Sequence, residues 1–317
     1  MDVARAQVDR LTVLVGSLKR EPIPGERRVE WMRELRPGVE VLAHVDENPQ
    51  YPEEHPRFWE IWTESIRRLV PSGPDLVFSS ETYGDELARR LGAKHVLVDL
   101  DRAAVPVSGS AIRSDPMRHW SFLPPPVRPW FVARVAIVGS ESTGKTTLAR
   151  ALAERWKTAW VPEFARGYLE ARGPVSGAAP GETAICTLAD MEPIGRGHLA
   201  SEDHIAREAN RVLFCDTDLT VTDVYSCEYF GATPEWVAAA SREAGRYALT
   251  FLTGIDVPYE ADALRDRPHA RREMHEKFRA ALAERGRAYL DLTGSHETRI
   301  ALADAAIEAA LRIRRPA

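Results

Sequence analysis

The sequence predicts an α/β protein with two parallel-sheet domains. Strand-like apolar segments alternate with amphipathic helical segments along most of the chain, and the joints between them are short. This alternation is typical of parallel sheets whose two faces are covered by helices. A proline-rich stretch at residues 123–130 interrupts it, because proline cannot continue a helix or donate to a strand ladder. We therefore predict one domain over residues 1–128 and a second over residues 131–317.

Length and composition agree with two domains and exclude several classes of protein. The 317 residues exceed the roughly 100–200 of an ordinary domain. Apolar residues make up 44% and charged residues 28%, and no apolar run approaches the roughly 20 residues of a membrane-spanning helix. The net charge of −5 is unfavourable for a dedicated nucleic-acid or anionic-membrane binder. Three cysteines without a CxxC pair indicate reduced thiols and a cytoplasmic protein.

In the predicted first domain, four strands alternate with three helices. The strands are expected at residues 11–17, 39–45, 75–80 and 95–100, and the helices at 25–35, 56–70 and 86–92. The strand segments are apolar runs with many branched side chains, and the helical segments carry their apolar residues at helical spacing. The chain opens on a helical pattern with no strand before it, so this domain is expected to be an incomplete Rossmann-like domain that lacks its first strand.

The predicted second domain repeats the alternation. Strands are expected at residues 130–139, 211–216, 247–254 and 288–294, with a further strand near residue 160, and helices at 148–156, 271–286 and 299–315. A region rich in glycine and proline separates the early elements from the later ones. This sheet is expected to be complete and to have the P-loop NTPase fold.

A phosphate-binding loop is predicted directly after the first strand of the second domain. Residues 139–146 fit the pattern G-x-x-x-x-G-K-[ST], with an apolar strand before them and a helix after them. Glycines let the backbone wrap around phosphate oxygens, and the helix N-terminus favours an anion. Lys145 would neutralise the β- and γ-phosphates, and Thr146 would place its hydroxyl on Mg²⁺. The predicted ATP-binding residues are Gly139, Ser140, Glu141, Ser142, Thr143, Gly144, Lys145, Thr146 and Thr147.

Two aspartates follow the apolar run that ends at Cys215. A carboxylate at the end of a strand beside the P-loop commonly supports the metal of an NTPase. Asp216 is the better placed of the two for Mg²⁺, and Asp218 could reach an acceptor hydroxyl. Capping of the next helix is the alternative role for either aspartate.

The acceptor site is expected just after the P-loop helix, where small-molecule P-loop kinases bind their acceptor. Glu163 could orient or deprotonate a sugar hydroxyl, with Arg166 as a partner on the phosphate side. Aromatic side chains could stack on a flat, cationic ring, although core packing is the alternative for each. The aromatic candidates are Trp160, Tyr168, Tyr225 and Tyr229.

A charged, proline-containing segment at residues 256–268 is expected to cover the active site. Phosphoryl transfer gains from an arginine that closes over the developing charge. Arg265 is the first candidate for that role and Arg267 the second, and a solvated charge cluster is the alternative.

Several ordered segments together resemble the NadR-type bifunctional family, which couples nicotinamide-nucleotide adenylyltransferase to nicotinamide riboside kinase. The segments are VAIVGSESTGKTTLA, AWVPEFARGYL, VLFCDTDLTVTDVYSCEYFG and DVPYEADALRDRP, with SSETYGDELARRLGAKHVLVDLDR and VPVSGSAIRSDPMRHWSFLPPPVRPWF before them. The resemblance implies that the second domain phosphorylates nicotinamide riboside to nicotinamide mononucleotide (NMN), with ATP and Mg²⁺, in NAD biosynthesis. Nicotinamide riboside and NMN are then the small-molecule partners, and a homo-oligomer is possible.

For the first domain, the same resemblance implies an NMN adenylyltransferase whose activity is impaired. Ser108, Ser110 and Arg113 match the S-x-[TS]-x-I-R signature of nucleotidyltransferases, where they would hold ATP phosphates. The family's H-x-G-H motif does not occur in the 317 residues. Together with the missing strand, this leads us to expect an N-terminally truncated adenylyltransferase domain, through either a misplaced start codon or loss of the chemistry.

Two alternatives to the riboside kinase remain open. The second domain could phosphorylate another nucleoside or nucleotide, or it could bind ATP and NAD metabolites as a sensor without turnover. The helix-turn-helix of regulatory family members has no counterpart in this sequence, so no nucleic-acid partner is expected.

Overall fold

The computed structural model describes residues 1–173, 186–243, 245–260, 269–313 and 315. The chain divides into two units, residues 1–114 and 115–317. Both units are α/β with parallel strand pairs, which confirms the predicted fold class. Within the described ranges, no helix has the length and hydropathy that crossing a membrane requires.

The proline-rich stretch belongs to the second unit, whereas the sequence suggested a boundary near residue 130. Trp120 is buried, and its Nε1 donates to the carbonyl of Ala209 over 3.0 Å. The Arg128 side chain donates to the carbonyl of Arg207 over 3.2 Å. These bonds tie the stretch to the segment that precedes the third strand of the second unit, so the division of the chain falls earlier, after residue 114.

The first unit contains short strands and helices in alternation. Its elements are α1 (Asp2–Arg5), β1 (Thr12–Gly16), α2 (Gly25–Leu35), β2 (Glu40–His44), α3 (Phe58–Leu69), β3 (Leu76–Ser79), α4 (Gly84–Leu91), β4 (Lys94–Leu97) and α5 (Gly109–Ser114). β1 pairs with β2 and β3 pairs with β4, both in parallel. The single sheet expected from the sequence is thus two separate two-stranded sheets, because β1 and β3 are not hydrogen-bonded to each other.

The second unit is built on one five-stranded parallel sheet in the order β6-β7-β5-β8-β9. Five of its described helices, α6 and α8 to α11, were not predicted from the sequence. Its elements are α6 (Arg128–Phe131), β5 (Ala133–Val138), α7 (Lys145–Trp156), β6 (Trp160–Val161), α8 (Phe164–Arg172), α9 (Met191–Ile205), β7 (Val212–Asp216), α10 (Leu219–Phe230), α11 (Glu235–Ser241), β8 (Leu249–Thr253), α12 (Arg271–Glu284), β9 (Leu290–Leu292) and α13 (His296–Leu311).

The central strand β5 is buried on both faces, and its side chains alternate between two hydrophobic clusters. Val135 and Ile137 pack on one face with Leu148 and Trp156 of α7, among others. Ala136 and Val138 pack on the other face, where Phe278 of α12 is fully buried. Since β5 lies between β7 and β8, the loops at its carboxyl end open at the switch point of the sheet, where ligands of α/β proteins usually bind.

Candidate active site

The P-loop, defined as residues 139–146, leaves the carboxyl end of β5 and continues into α7. Gly139 has φ +146° and Gly144 has φ +83°, values that L side chains rarely adopt. A Cβ on Gly139 would lie 2.4 Å from Thr253 Oγ1, so only glycine allows this close approach to β8. Thr143 Oγ1 and Thr253 Oγ1 lie 2.7 Å apart, which fastens the loop to the same strand.

Lys145, the first residue of α7, folds over the loop. Its Nζ donates to the carbonyl of Gly139 over 3.0 Å and to that of Ser140 over 2.9 Å. The ammonium group is therefore held beside the N-terminal end of α7. The lysine charge and the helix end both favour an anion at this point.

Asp216, the last residue of β7, faces the start of α7. Its Oδ2 accepts a 2.5 Å hydrogen bond from Thr146 Oγ1, and its buried Oδ1 has no hydrogen-bond partner among the described residues. Burial and the nearby charge of Glu163 raise the pKa of Asp216 from 3.8 to about 6. A hydroxyl and an oxygen with spare lone pairs suit Mg²⁺, which takes oxygen ligands and keeps several waters. Thr146 and Asp216 thus fit the predicted metal site.

A cavity of about 410 Å³ opens beside the P-loop. Seven of the nine predicted ATP-binding residues line it, whereas Gly139 and Ser140 do not. Ser140 is buried. The lining residues among those predicted for ATP are Glu141, Ser142, Thr143, Gly144, Lys145, Thr146 and Thr147.

The predicted acceptor residues Glu163 and Arg166 line the same cavity. Glu163 immediately precedes α8, and Arg166 lies in the first turn of that helix. The guanidinium of Arg166 lies 3.7 Å from Glu170, one turn further on, and its side chain is about one-third exposed. A carboxylate and a guanidinium are thus placed on the wall of the cavity that also contains the P-loop lysine.

Of the four predicted aromatic contacts, two line the cavity. The rings of Tyr225 and Tyr229 stack with centroids 5.7 Å apart, and Tyr225 also packs edge-on against Phe278. Trp160 and Tyr168 are not part of the cavity wall. The hydroxyl of Tyr168 donates to Asp190 Oδ1 over 3.0 Å. Trp160 packs on the hydrophobic core under the cation of Arg150, 5.0 Å from the ring centroid, so its role in this structure is core packing.

Asp218 does not face the cavity, in contrast to its predicted role at the acceptor hydroxyl. It is the N-cap of α10: its Oδ1 accepts from the backbone N–H groups of Thr220 at 2.9 Å and Val221 at 3.2 Å. Its Oδ2 forms an ion pair with Arg287. Both oxygens are used inside the fold, and the side chain is fully buried, so helix capping describes Asp218 better than catalysis.

The remaining predicted residues lie elsewhere. Arg265 and Arg267 fall outside the described residues. In the first unit, Ser108 Oγ accepts from the N–H of Ala111 at the start of α5, and Arg113 donates to Ser110 Oγ over 3.3 Å. The signature therefore lies at a helix N-terminus, as its proposed role in phosphate binding requires, although α5 has only six residues.

Comparison with known proteins identifies the second unit. A family model described as an AAA domain matches residues 134–299, which is a little over half of the chain. The chain belongs to this AAA-domain family. The match begins in β5, spans the P-loop and ends at Arg299, so it includes every described residue of the cavity wall.

Two curated relatives of this AAA-domain chain are NadR proteins, which confirms the resemblance stated from the sequence. The trifunctional NAD biosynthesis/regulator protein NadR of Escherichia coli (strain K12) is 30% identical over 279 residues, covering 83% of this chain and 66% of the relative. The protein of the same name from Salmonella typhimurium (strain LT2) is 29% identical over the same lengths. The chain thus spans just under two thirds of these relatives.

Solved structures show the same fold. A NadR protein crystallised in complex with NR superposes with a TM-score of 0.76 at 22% identity, over 100% of this chain and 92% of the other. A second structure, of NadR in complex with NAD and AMP-PNP, gives a TM-score of 0.75 at 22% identity over the same shares. The two-domain α/β architecture of the AAA-domain chain is therefore that of NadR.

Sequence reasoning missed several residues of the cavity wall. His198 is buried in α9, and its Nε2 lies 3.2 Å from Glu202 Oε1. Glu202 is fully buried and accepts from Arg246 over 2.7 Å and from Tyr247 over 2.5 Å. His198 and Glu202 are four residues apart in sequence, a spacing that brings two side chains together on a helix. This spacing could have revealed the pair, but α9 itself was not predicted. His296 and Arg299 were also missed, whereas Val257, Pro258 and Glu260 of the wall belong to the segment 256–268 that was expected to cover the site.

Proposed function

We propose that the second unit transfers the γ-phosphate of ATP to the 5′-hydroxyl of nicotinamide riboside, giving NMN. The observation that carries the proposal is one cavity whose wall contains both the P-loop and a candidate acceptor site, with Glu163 and the Tyr225–Tyr229 pair. The descriptions of the NadR relatives support it, since one solved NadR is a complex with NR and another a complex with NAD and AMP-PNP.

On the nucleotide side, the P-loop N–H groups and Lys145 would bind the phosphates. Lys145 already lies against the loop carbonyls, so it can move to the β- and γ-phosphate oxygens without leaving the loop. Thr146 and Asp216 would hold Mg²⁺, which supplies charge neutralisation at the β- and γ-phosphates when bound. These residues stabilise the negative charge that spreads over the transferred group.

On the acceptor side, Glu163 would accept a hydrogen bond from the 5′-hydroxyl and orient its oxygen toward the γ-phosphorus. As the new P–O bond forms, the bond to the β-phosphate breaks, ADP departs and the hydroxyl proton passes to Glu163. Arg166 would bind the transferred phosphoryl group. The paired tyrosine rings offer π faces and edges against which a cationic pyridinium can pack.

The test is a direct assay of purified protein with MgATP and nicotinamide riboside. We expect NMN and ADP in equal amounts, with at least a hundredfold loss of kcat in Lys145→Ala and in Glu163→Gln. Lys94→Ala, which removes an exposed lysine of the first unit, is the matched control and should retain full activity. If the wild-type protein forms no NMN, the proposal is contradicted.

Two other activities predict different outcomes of the same experiment. A kinase for another nucleoside would leave nicotinamide riboside unchanged and release ADP with a neutral nucleoside from a substrate panel. A sensor would bind ATP in calorimetry without releasing ADP. The cavity favours a kinase, because a carboxylate lies on the same wall as the P-loop lysine.

For the first unit, we propose that adenylyl transfer to NMN is impaired. The 317 residues contain no H-x-G-H motif, whose histidines stabilise the triphosphate in this enzyme class. Incubating the chain with NMN and ATP should therefore give no NAD, even when the kinase assay is active. NAD formation that depends on Arg113 would contradict this proposal.

A further inference from the structure

Two arginines from different helices bind consecutive carbonyl groups of the P-loop. Arg271, the first residue of α12, donates from Nη2 to the carbonyl of Ser142 over 3.1 Å. Arg299, in the first turn of α13, donates from Nη1 to the carbonyl of Thr143 over 2.7 Å. Neither residue was singled out by the sequence motifs, and neither is assigned a part in the phosphoryl transfer described above.

Both guanidinium groups also bind the segment that follows β8. Arg271 donates from Nη1 and from Nη2 to the carbonyl of Val257, each over 3.0 Å. Arg299 donates to the carbonyl of Gly254 over 3.2 Å and pairs with Asp256. Each arginine therefore joins the P-loop to the loop beyond the neighbouring strand, and the planar fork of guanidinium donors makes the double contact possible.

These bonds fix the direction in which the P-loop N–H groups point. The peptide bonds of the loop are trans, so the carbonyl of one residue and the N–H of the next point to opposite sides of the peptide plane. Holding the carbonyl of Ser142 aims the N–H of Thr143 away from Arg271. Holding the carbonyl of Thr143 aims the N–H of Gly144 away from Arg299 in the same way.

The backbone at this point needs such support. Ser142 has φ +53°, an uncommon value for a residue with a side chain, and Gly144 has φ +83°. Alternation of right- and left-handed residues is the conformation that collects N–H groups into an anion-binding nest. A second contact acts on Ser142, whose Oγ accepts from the N–H of Glu260 over 2.7 Å. Ser142 is thus fixed by hydrogen bonds to both its carbonyl and its hydroxyl group.

We propose that Arg271 and Arg299 are positioning residues that hold the P-loop in its phosphate-binding conformation by clamping its carbonyls. They act through the backbone N–H groups rather than by contact with the nucleotide. This inference rests on the proposed binding of ATP at the P-loop, and it is independent of which acceptor is phosphorylated.

The clamp makes a prediction that a role of Arg271 through charge alone does not. A lysine at position 271 would keep the positive charge, but its side chain ends one bond short of Nη2, the atom that donates to the carbonyls of both Ser142 and Val257. If charge alone were needed, lysine would suffice. If the reach of Nη2 to the loop carbonyl is needed, lysine fails.

The experiment compares equilibrium binding of AMP-PNP with Mg²⁺ and of adenosine to four proteins. These are the wild type, Arg271→Ala, Arg271→Lys and the matched control Arg272→Ala, which removes the same charge from the neighbouring, exposed position of α12. For Arg271→Ala we expect the Kd of AMP-PNP to rise about tenfold, the effect of one lost hydrogen bond to a charged group. The Kd of adenosine, which has no phosphate, should stay within about twofold.

Arg271→Lys should lose most of the same affinity for AMP-PNP, and Arg272→Ala should bind both ligands like the wild type. Unchanged AMP-PNP affinity in Arg271→Ala, an equal loss for adenosine, or full rescue by lysine would each overturn the clamp. If Arg271→Ala does not fold, as judged by its melting temperature, Arg271→Lys retains the side-chain stem and decides alone. Failure of the wild type to bind AMP-PNP would instead contradict the proposed function.

Discussion

Thr146 and Asp216 are 70 residues apart in sequence and are joined by a 2.5 Å hydrogen bond between Thr146 Oγ1 and Asp216 Oδ2. The bond connects the first turn of α7 to the end of β7. It places a hydroxyl and a buried carboxylate side by side where the P-loop ends. Several of the expected properties of this protein depend on the charge of that carboxylate.

Replacing Asp216 by asparagine should stabilise the fold and weaken ATP binding. Burial and Glu163 raise the pKa of Asp216 to about 6. At pH 7 the carboxylate is therefore ionised in the folded protein at a cost in folding free energy, relative to the unfolded chain. We expect Asp216→Asn to increase the free energy of unfolding by about 1–3 kcal/mol at pH 7. Urea unfolding measures this change. Binding of AMP-PNP in the presence of Mg²⁺ should fall at least about tenfold, because the proposed Mg²⁺ ligand is lost.

The pH dependence of that stabilisation has a definite sign. A folded pKa above the unfolded value means that the folded protein holds more protons between pH 4 and pH 6, so wild-type stability falls as the pH rises through this range. Asp216→Asn lacks this slope. The advantage of the variant should therefore be small at pH 4 and full above pH 6, and an advantage that is equal at both would contradict the assignment.

Replacing Asp218, only two residues further on, should have the opposite effect on stability to replacing Asp216. Asp218→Ala removes the N-cap of α10 and leaves Arg287 without its buried carboxylate. We expect a loss of about 3 kcal/mol in the free energy of unfolding. In the protein that remains folded, kcat should change by less than about fivefold, because Asp218 does not reach the cavity. A loss of several orders of magnitude in kcat, without destabilisation, would restore Asp218 as a catalytic residue.

His198 and Glu202 should make stability depend on pH in the neutral range. Burial alone would lower the pKa of His198. The hydrogen bond and the charge of Glu202 raise this pKa by more than burial lowers it, so the net shift is upward from 6.5. The resulting stabilisation is fully present below pH 6.5 and is lost as the pH rises through the folded pKa. Relative to His198→Gln, the wild type should thus lose stability above pH 6.5, as measured by urea unfolding from pH 5 to 9.

His275 provides the control for this measurement. It is also buried, in α12, but burial and the charge of Arg279 lower its pKa. Relative to His275→Gln, the wild type should gain stability as the pH rises toward 6.5, the reverse of the slope at His198. Equal slopes for the two histidine variants would exclude the His198–Glu202 pair as the cause.

Two glycine substitutions should separate loop geometry from helix propensity. Gly139→Ala would bring a Cβ within 2.4 Å of Thr253 Oγ1 at φ +146°, so we expect a loss of about 2 kcal/mol in the free energy of unfolding and weaker AMP-PNP binding. Gly167 lies within α8, and a Cβ there meets nothing within 4 Å. Gly167→Ala should therefore stabilise the protein by about 0.5–1 kcal/mol. Thermal unfolding and calorimetry would show whether alanine is tolerated at residue 139.

The order of strands and outer helices could be predicted from the sequence because those elements have a clear apolar pattern. Helix α10 could not. It packs against α9, α11 and α12, so polar residues such as Thr220, Asp223 and Ser226 are buried with its apolar ones, and no single apolar face is visible in the sequence. Similarly, the two-residue strand β6 is too short to have a period of its own.

The P-loop side of the site was predictable, since residues 139–146 are consecutive and their spacing follows from phosphate geometry. The acceptor side depends on side-chain direction, which order along the chain does not reveal. Asp216 and Asp218 both follow β7, yet one faces α7 and the other caps α10. Arg271 and Arg299 lie more than a hundred residues beyond the loop whose carbonyls they bind.

The strand pairing of the two units leads to unequal risks of self-association. In the first unit each of the four strands, β1 to β4, is an edge strand of four or five residues, and each therefore has a row of N–H and C=O groups without a ladder partner in the described sheets. In the second unit the edges of the five-stranded sheet, as far as the structure describes it, are β6 and β9, of two and three residues. At high protein concentration, unwanted strand exchange between molecules should therefore begin at residues 12–97 and leave the proposed nucleotide site intact.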